Sequence, residues 1–187
     1  MTVSSRGEVV VRAVRAEEWP AVKALRLDAL RDPVAHLAFL EAYDDAVAEP
    51  DEFWQGRASR ASHEDGPVRQ FVAETGDGVW VGTATVLIEE AGTTDWAGYP
   101  VERRQGHVVG VFVQPAYRGT GVTEAVFETA LEWAWGRGAE RVRLLVHEEN
   151  TRAQGFYRKA GFRPTGVTVP VPHSPERSEL EYVIEKG

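Results

Sequence analysis

The sequence predicts an α/β (α+β) fold, a mixed sheet flanked by helices in a single domain over 1–187, on three observations. The hydrophobic period switches repeatedly between the strand and helix values along the chain. An Asp77-Gly78 pair joins two β-branched runs as a hairpin. Between Gly106 and Trp135 a strand, a glycine-rich turn and a helix follow one another.

The elements follow in order. Val9 to Arg15 is β-branched and reads as a strand. Ala16 to Leu30 carries Trp19, Val22, Leu25, Leu27 and Leu30 at helical spacing, and Asp32-Pro33 stops that helix. A second helix is predicted over Val34 to Val47 and a third from Asp51, behind Pro50. Val68 to Glu74 and Val79 to Glu89 form the hairpin; Thr93 to Gln105 lacks periodicity and reads as a loop. Gly106 to Val113 is a strand, Val122 to Trp135 a helix ended by Gly136 and Gly138, Arg141 to His147 a strand. Asn150 to Ala160 is a helix closed by Gly161. Strands over Phe162 to Val171 and Glu179 to Lys186, with a Pro172-to-Pro175 loop between them, complete the order.

The chain is 43% hydrophobic and 27% charged, the composition of a globular domain that buries its own core. It has no cysteine, which excludes a thiolate nucleophile and cysteine-ligated zinc, and a cytoplasmic location is expected. Met1 to Arg6 has no apolar signal region, and no stretch approaches the roughly 18 apolar residues of a membrane span. A net charge of −8 argues against a nucleic-acid partner. Glu41 to Asp65 holds eight acidic residues and two basic ones, Arg57 and Arg60. This run reads as a solvated helix face, with attraction of a cationic acceptor as the alternative.

Arg118-Gly119-Thr120-Gly121-Val122-Thr123 lies where a strand ending in Val113-Gln114-Pro115 gives way to a helix. Free amides of a first helical turn and the helix dipole suit an anion, and glycine lets a phosphate approach the backbone. A glycine turn alone also serves as a plain tight turn. The spacing matches neither a P-loop nor a dinucleotide fingerprint.

At these residues the chain resembles the GNAT N-acetyltransferase superfamily, whose acetyl-CoA motif is Arg/Gln-x-x-Gly-x-Gly/Ala. Arg118 and Gly121 match; Thr123 stands where the family has Gly or Ala. Asn150-Thr151-Arg152-Ala153-Gln154-Gly155-Phe156-Tyr157, continued to Gly161-Phe162, is similar to a second family segment, Asn-x-x-Ala-x-x-Phe-Tyr-x-x-x-Gly-Phe, at every named position. The resemblance implies a mostly antiparallel sheet of about seven strands. The fourth and fifth, Gly106 to Val113 and Arg141 to His147, would splay apart at a bulge as the cofactor cleft.

It further implies that acetyl-CoA is the cosubstrate, contacted by Val111, Phe112, Val113, Arg118, Gly119, Thr120, Gly121, Val122, Thr123, Asn150, Ala153 and Phe156. Tyr157 would be the general acid for the departing thiolate. The side chains of Val111 to Val113 and Phe156 read as core, Tyr157 also fits a core with its hydroxyl at the rim, and Arg158 and Lys159 read as an exposed helix face. The expected activity is direct acetyl transfer to a primary amine of a small molecule or protein, with no metal and no membrane. Candidates for the base are Glu89, Glu90, Glu102, His107, His147, Glu148 and Glu149. Trp54, Trp96 and Tyr99 are expected to line the acceptor pocket, and a homodimer is compatible with the family. A cosubstrate-binding protein without turnover, and an interaction domain in which the glycines only turn the chain, are the competing readings.

Overall fold

In the computed structural model, which describes residues 2–4, 7–172 and 174–187, eight strands form one sheet. They are β1 (Thr2–Ser4), β2 (Gly7–Ala13), β3 (Val68–Thr75), β4 (Trp80–Glu89), β5 (Gln105–Val113), β6 (Arg141–His147), β7 (Arg163–Val171) and β8 (Ser174–Glu185). The order is β1-β2-β3-β4-β5-β6-β8-β7, so β8 slots between β6 and β7. Among these pairs only β5 and β6 run parallel. The helices are α1 (Trp19–Leu30), α2 (Ala35–Ala38), α3 (Tyr43–Ala48), α4 (Asp51–Arg60), α5 (Val122–Gly136) and α6 (Thr151–Lys159).

Each face of the sheet carries its own core. On one, Val126, Ala130 and Ala134 of α5 and Tyr157 of α6 pack on Val86, Val108, Val142, Leu144 and Tyr182. On the other, Val22, Leu25 and Ala29 of α1 and Trp54 and Ala58 of α4 pack on Val72 and Phe112. Full burial of a Val, Leu or Phe contributes about 1.5–3 kcal/mol, so both layers hold the sheet firmly.

Three expectations need correction. The predicted Val34-to-Val47 helix is broken: Phe39 is extended, at φ −133, between α2 and α3. Tertiary contacts override the periodicity there, because the Arg26 guanidinium sits 4.5 Å over the Phe39 ring and 2.9 Å from Glu41 Oε2. The last connection is shorter than Pro172 to Pro175, since Ser174 pairs with Val171 and Pro175 lies inside β8; His173 falls outside the described residues. The sheet also gains β1, whose three residues are too few to show a period.

A candidate active site at the splayed strand pair

β5 and β6 are registered from Gln105↔Arg141 to Val108↔Leu144, and there the pairing stops. β5 continues to Val113 and β6 to His147, so the two strands diverge. The cause is visible in the β4–β5 ladder. Thr83 pairs with Phe112 and Thr85 with Val109, so three steps of β5 oppose two of β4, a bulge at Gly110. Gly110 has φ +62 with open space where a Cβ would stand, so conformation rather than crowding demands glycine.

A cleft of about 1510 Å³ opens at this divergence. Val109, Gly110, Val111, Phe112 and Val113 form one wall, and Leu145, Val146, Asn150, Ala153, Phe156 and Tyr157 the other. Asn150 caps α6, its Oδ1 accepting from Ala153 N at 3.3 Å. Tyr157 is 9% exposed, with the rings of Phe127 and Phe162 5.6 and 6.0 Å away. Its hydroxyl makes no hydrogen bond among the described residues, and burial raises its pKa well above the ordinary phenol value.

The turn before α5 closes the cleft at one end. Gly119 and Gly121 have φ +73 and +94, and Gly121 caps α5 with no side chain on the first-turn amides. Arg118, Gly119 and Thr123 line the cleft; Thr120, Gly121 and Val122 do not. The Thr120 hydroxyl donates to the Tyr117 carbonyl and Val122 is buried in the core, so only their backbones are available. Arg118 is not a free donor as a surface arginine would be. Its Nη2 donates to Asp32 Oδ2 at 2.6 Å and its Nε to the Val113 carbonyl at 3.0 Å, which braces α1 against the turn. Burial opposes charge on Asp32, but bonds from Val34 N and Arg118 outweigh it and hold that carboxyl below its ordinary value.

The opposite end is polar. His107 is 2% exposed and lines the cleft, with its Nδ1 3.6 Å from Glu89 Oε2. Glu89 accepts from Gln105 Nε2 at 2.9 Å. Behind them, Arg143 lies 2.6 Å from Asp95, 3.3 Å from Glu181 and 3.8 Å from Glu89. Burial opposes the charge of Glu89 and of Asp95. For Glu89 the contact with His107 outweighs it, joined by Gln105 and Arg143; for Asp95 Arg143 and two backbone amides do so. Both carboxyls are thereby held below the usual range.

The other base candidates stand apart from this end. Glu90 pairs with Arg104, and Glu102 is exposed. His147 accepts from Glu149 N at 3.1 Å, and neither it nor Glu148 lines the cleft. Glu149 lines it but pairs with Arg177 at 2.8 Å. Of the aromatics, Trp96 lines the cleft, Trp54 is fully buried on the inner face of α4, and Tyr99 sits outside with its hydroxyl 3.5 Å from the Thr168 carbonyl.

Sequence reasoning missed Glu179, a half-buried carboxylate on the cleft wall with no side-chain ion pair or hydrogen bond among the described residues, whose pKa burial raises. The signal was the alternation Glu179-Leu180-Glu181-Tyr182, which sends both glutamates to the face opposite Tyr182.

A sheet opened at one parallel pair, beside a glycine turn at an uncapped helix N-terminus, defines the acetyltransferase class of fold. Residues 28–162 match the model of the acetyltransferase (GNAT) family, and the chain belongs to that family. The solved PaiA N-acetyltransferase of Thermoplasma acidophilum, in complex with coenzyme A, superposes with a TM-score of 0.71 at 15% identity over 96% of this chain and 99% of that one. The GNAT domain of S. lividans PAT gives 0.71 at 18%, over 98% and 95%. A putative [ribosomal protein bS18]-alanine N-acetyltransferase of Bacillus subtilis is 31% identical over 87 residues, 38% of this chain and 58% of that protein. Mycothiol acetyltransferase of Beutenbergia cavernae is 30% identical over 97 residues, 52% of this chain and 29% of its own. The chain thus spans less than two thirds of either curated relative.

Proposed function

We propose that the protein is an acetyl-CoA-dependent N-acetyltransferase that passes the acetyl group directly to a primary amine of a small molecule or a protein. One observation carries this reading: the unpaired edge of β5, the open first turn of α5 and Tyr157 line a single cleft. The α5 first-turn amides from Thr123 onward hold the pyrophosphate, and Thr123 adds its hydroxyl. Backbone amides freed at the Gly110–Val111 bulge bind the thioester carbonyl and the oxyanion that forms from it.

The amine nitrogen attacks the thioester carbon, a C–N bond forms and the C–S bond breaks. His107, with Glu89 3.6 Å from its Nδ1, takes the proton that the amine sheds. Tyr157, which burial keeps protonated across neutral pH, gives its proton to the leaving thiolate. An enzyme that consumes acetyl-CoA needs access to that pool, which supports a cytoplasmic location.

Thiol release from acetyl-CoA in the presence of an amine panel tests the reading. Turnover with at least one acceptor is expected, and Tyr157→Phe lowers kcat about tenfold or more while acetyl-CoA affinity holds. Binding without turnover on every acceptor contradicts it.

A further inference from the structure

Three arginines line the cleft, Arg26, Arg57 and Arg60, and the first two of them share one carboxylate, that of Glu41. Arg26 and Arg57 lie 2.9 and 3.9 Å from Glu41 Oε2, while Arg60 has no ion pair among the described residues. Glu41 is committed to Arg26, whose Nε also donates to it at 3.0 Å. The Arg57 guanidinium, held 5.6 Å over the Trp54 ring, makes no hydrogen bond among the described residues. Arg26 and Arg57 also line a small cavity together with Gly110 and Phe112, so this charge stands next to the bulge. Arg60 is exposed and needs no partner, but Arg57 is half-buried and shares its one carboxylate with Arg26, so one positive charge on this wall is left without its own counter-charge, in a chain of net charge −8. Burial first, then the charge of Arg26, pull Arg57 below the ordinary guanidinium value, and an arriving anion relieves that repulsion.

Resting on the transferase reading, we propose that the acceptor is a small amine that bears a carboxylate, of the amino-acid type, with its carboxylate held by Arg57 and its amine directed toward Gly110. A guanidinium offers a planar fork that fits a carboxylate with two hydrogen bonds. The attraction of cationic acceptors, weighed above as the alternative reading of Glu41 to Asp65, is not what this wall offers. Asp44, Asp45, Glu52 and Asp65 point to solvent, while Arg57 turns inward.

The test compares amino acids with their carboxamides in CoA-release assays, with phosphoethanolamine as an anion lacking a carboxylate. The acids are expected to exceed their amides at least about tenfold in kcat/KM, because an amide leaves Arg57 unpaired. In folded Arg57→Gln that ratio falls close to one, and Arg57→Lys recovers part of it. Amides equal to acids, phosphoethanolamine ahead of every carboxylate acceptor, or a ratio that survives in Arg57→Gln each overturns the proposal.

Product binding separates the two claims. N-acetyl amino acids and their carboxamides are titrated by tryptophan fluorescence in the presence of CoA. A carboxylate preference without turnover on any acceptor sinks the transferase reading and leaves this site standing; equal binding of both sinks the site.

Discussion

Toward α5, the β5–β6 pair presents Val108, Val142, Leu144 and Val146, with Gly106 so close that an added Cβ would meet Val142 at 3.1 Å and Ala134 at 3.3 Å. Toward the other side, alternate residues of the same two strands are Gln105, His107, Arg141 and Arg143, and three of these four are buried. The first face is a packed hydrocarbon layer. The second holds Glu89, Asp95 and Glu181 around one arginine, an arrangement that costs several kcal/mol of desolvation per ion and persists only with close partners. Strand alternation therefore divides the labour: one face fixes the pair in register, and the other supports His107 at the point where the pair opens.

The sharpest way to break that division is Arg143→Met, which leaves three carboxylates facing each other without a cation. A loss of about 3–5 kcal/mol at neutral pH is expected in urea unfolding. The sign of the pH dependence should also change. In the parent, Asp95 and Glu89 are held below their ordinary values, so they stabilise the fold above the usual carboxylate range, and this is lost as pH falls through their folded values. In the variant, crowding raises these carboxyls, so stability should grow as pH falls from neutral toward about 5. A variant that loses stability with acid as the parent does contradicts the role given to Arg143.

A smaller effect is expected where the polar face meets the cleft. His107→Gln keeps a side chain of similar reach but no base, and kcat should fall about 10²-fold, or about 2.7 kcal/mol of barrier. Its circular dichroism at the assay temperature should match that of the parent, so that the loss is read on folded protein. Rates within threefold of the parent across pH would move the base role elsewhere, with Glu179 the next group on the cleft wall.

How much of this was legible in the sequence depended on separation along the chain. Arg141–His147 appears at the predicted bounds, and Asn150 caps α6 as its residue type suggests, because alternation and capping are local. The glycine turn was legible for the same reason. The Arg118–Asp32 pair spans 86 positions, and no local signal announces it. Pro50 as a helix start placed Trp54 on a helix, yet whether it faces the cleft or the core depends on how α4 packs on α1. Arg57 was hidden differently: a run of eight acidic residues draws attention to its solvent face, while the arginine inside it serves the opposite face.

The account rests on acetyl-CoA lying against the first turn of α5, and Thr123→Glu tests this most directly. Thr123 lines the cleft in the first turn of the helix, where glutamate is well tolerated, so the fold should be kept while a carboxylate enters the cradle. Titration calorimetry should show acetyl-CoA affinity reduced at least about tenfold, 1.4 kcal/mol or more, with an unchanged thermal midpoint. An affinity equal to that of the parent would contradict the cradle, and with it the proposed cosubstrate site.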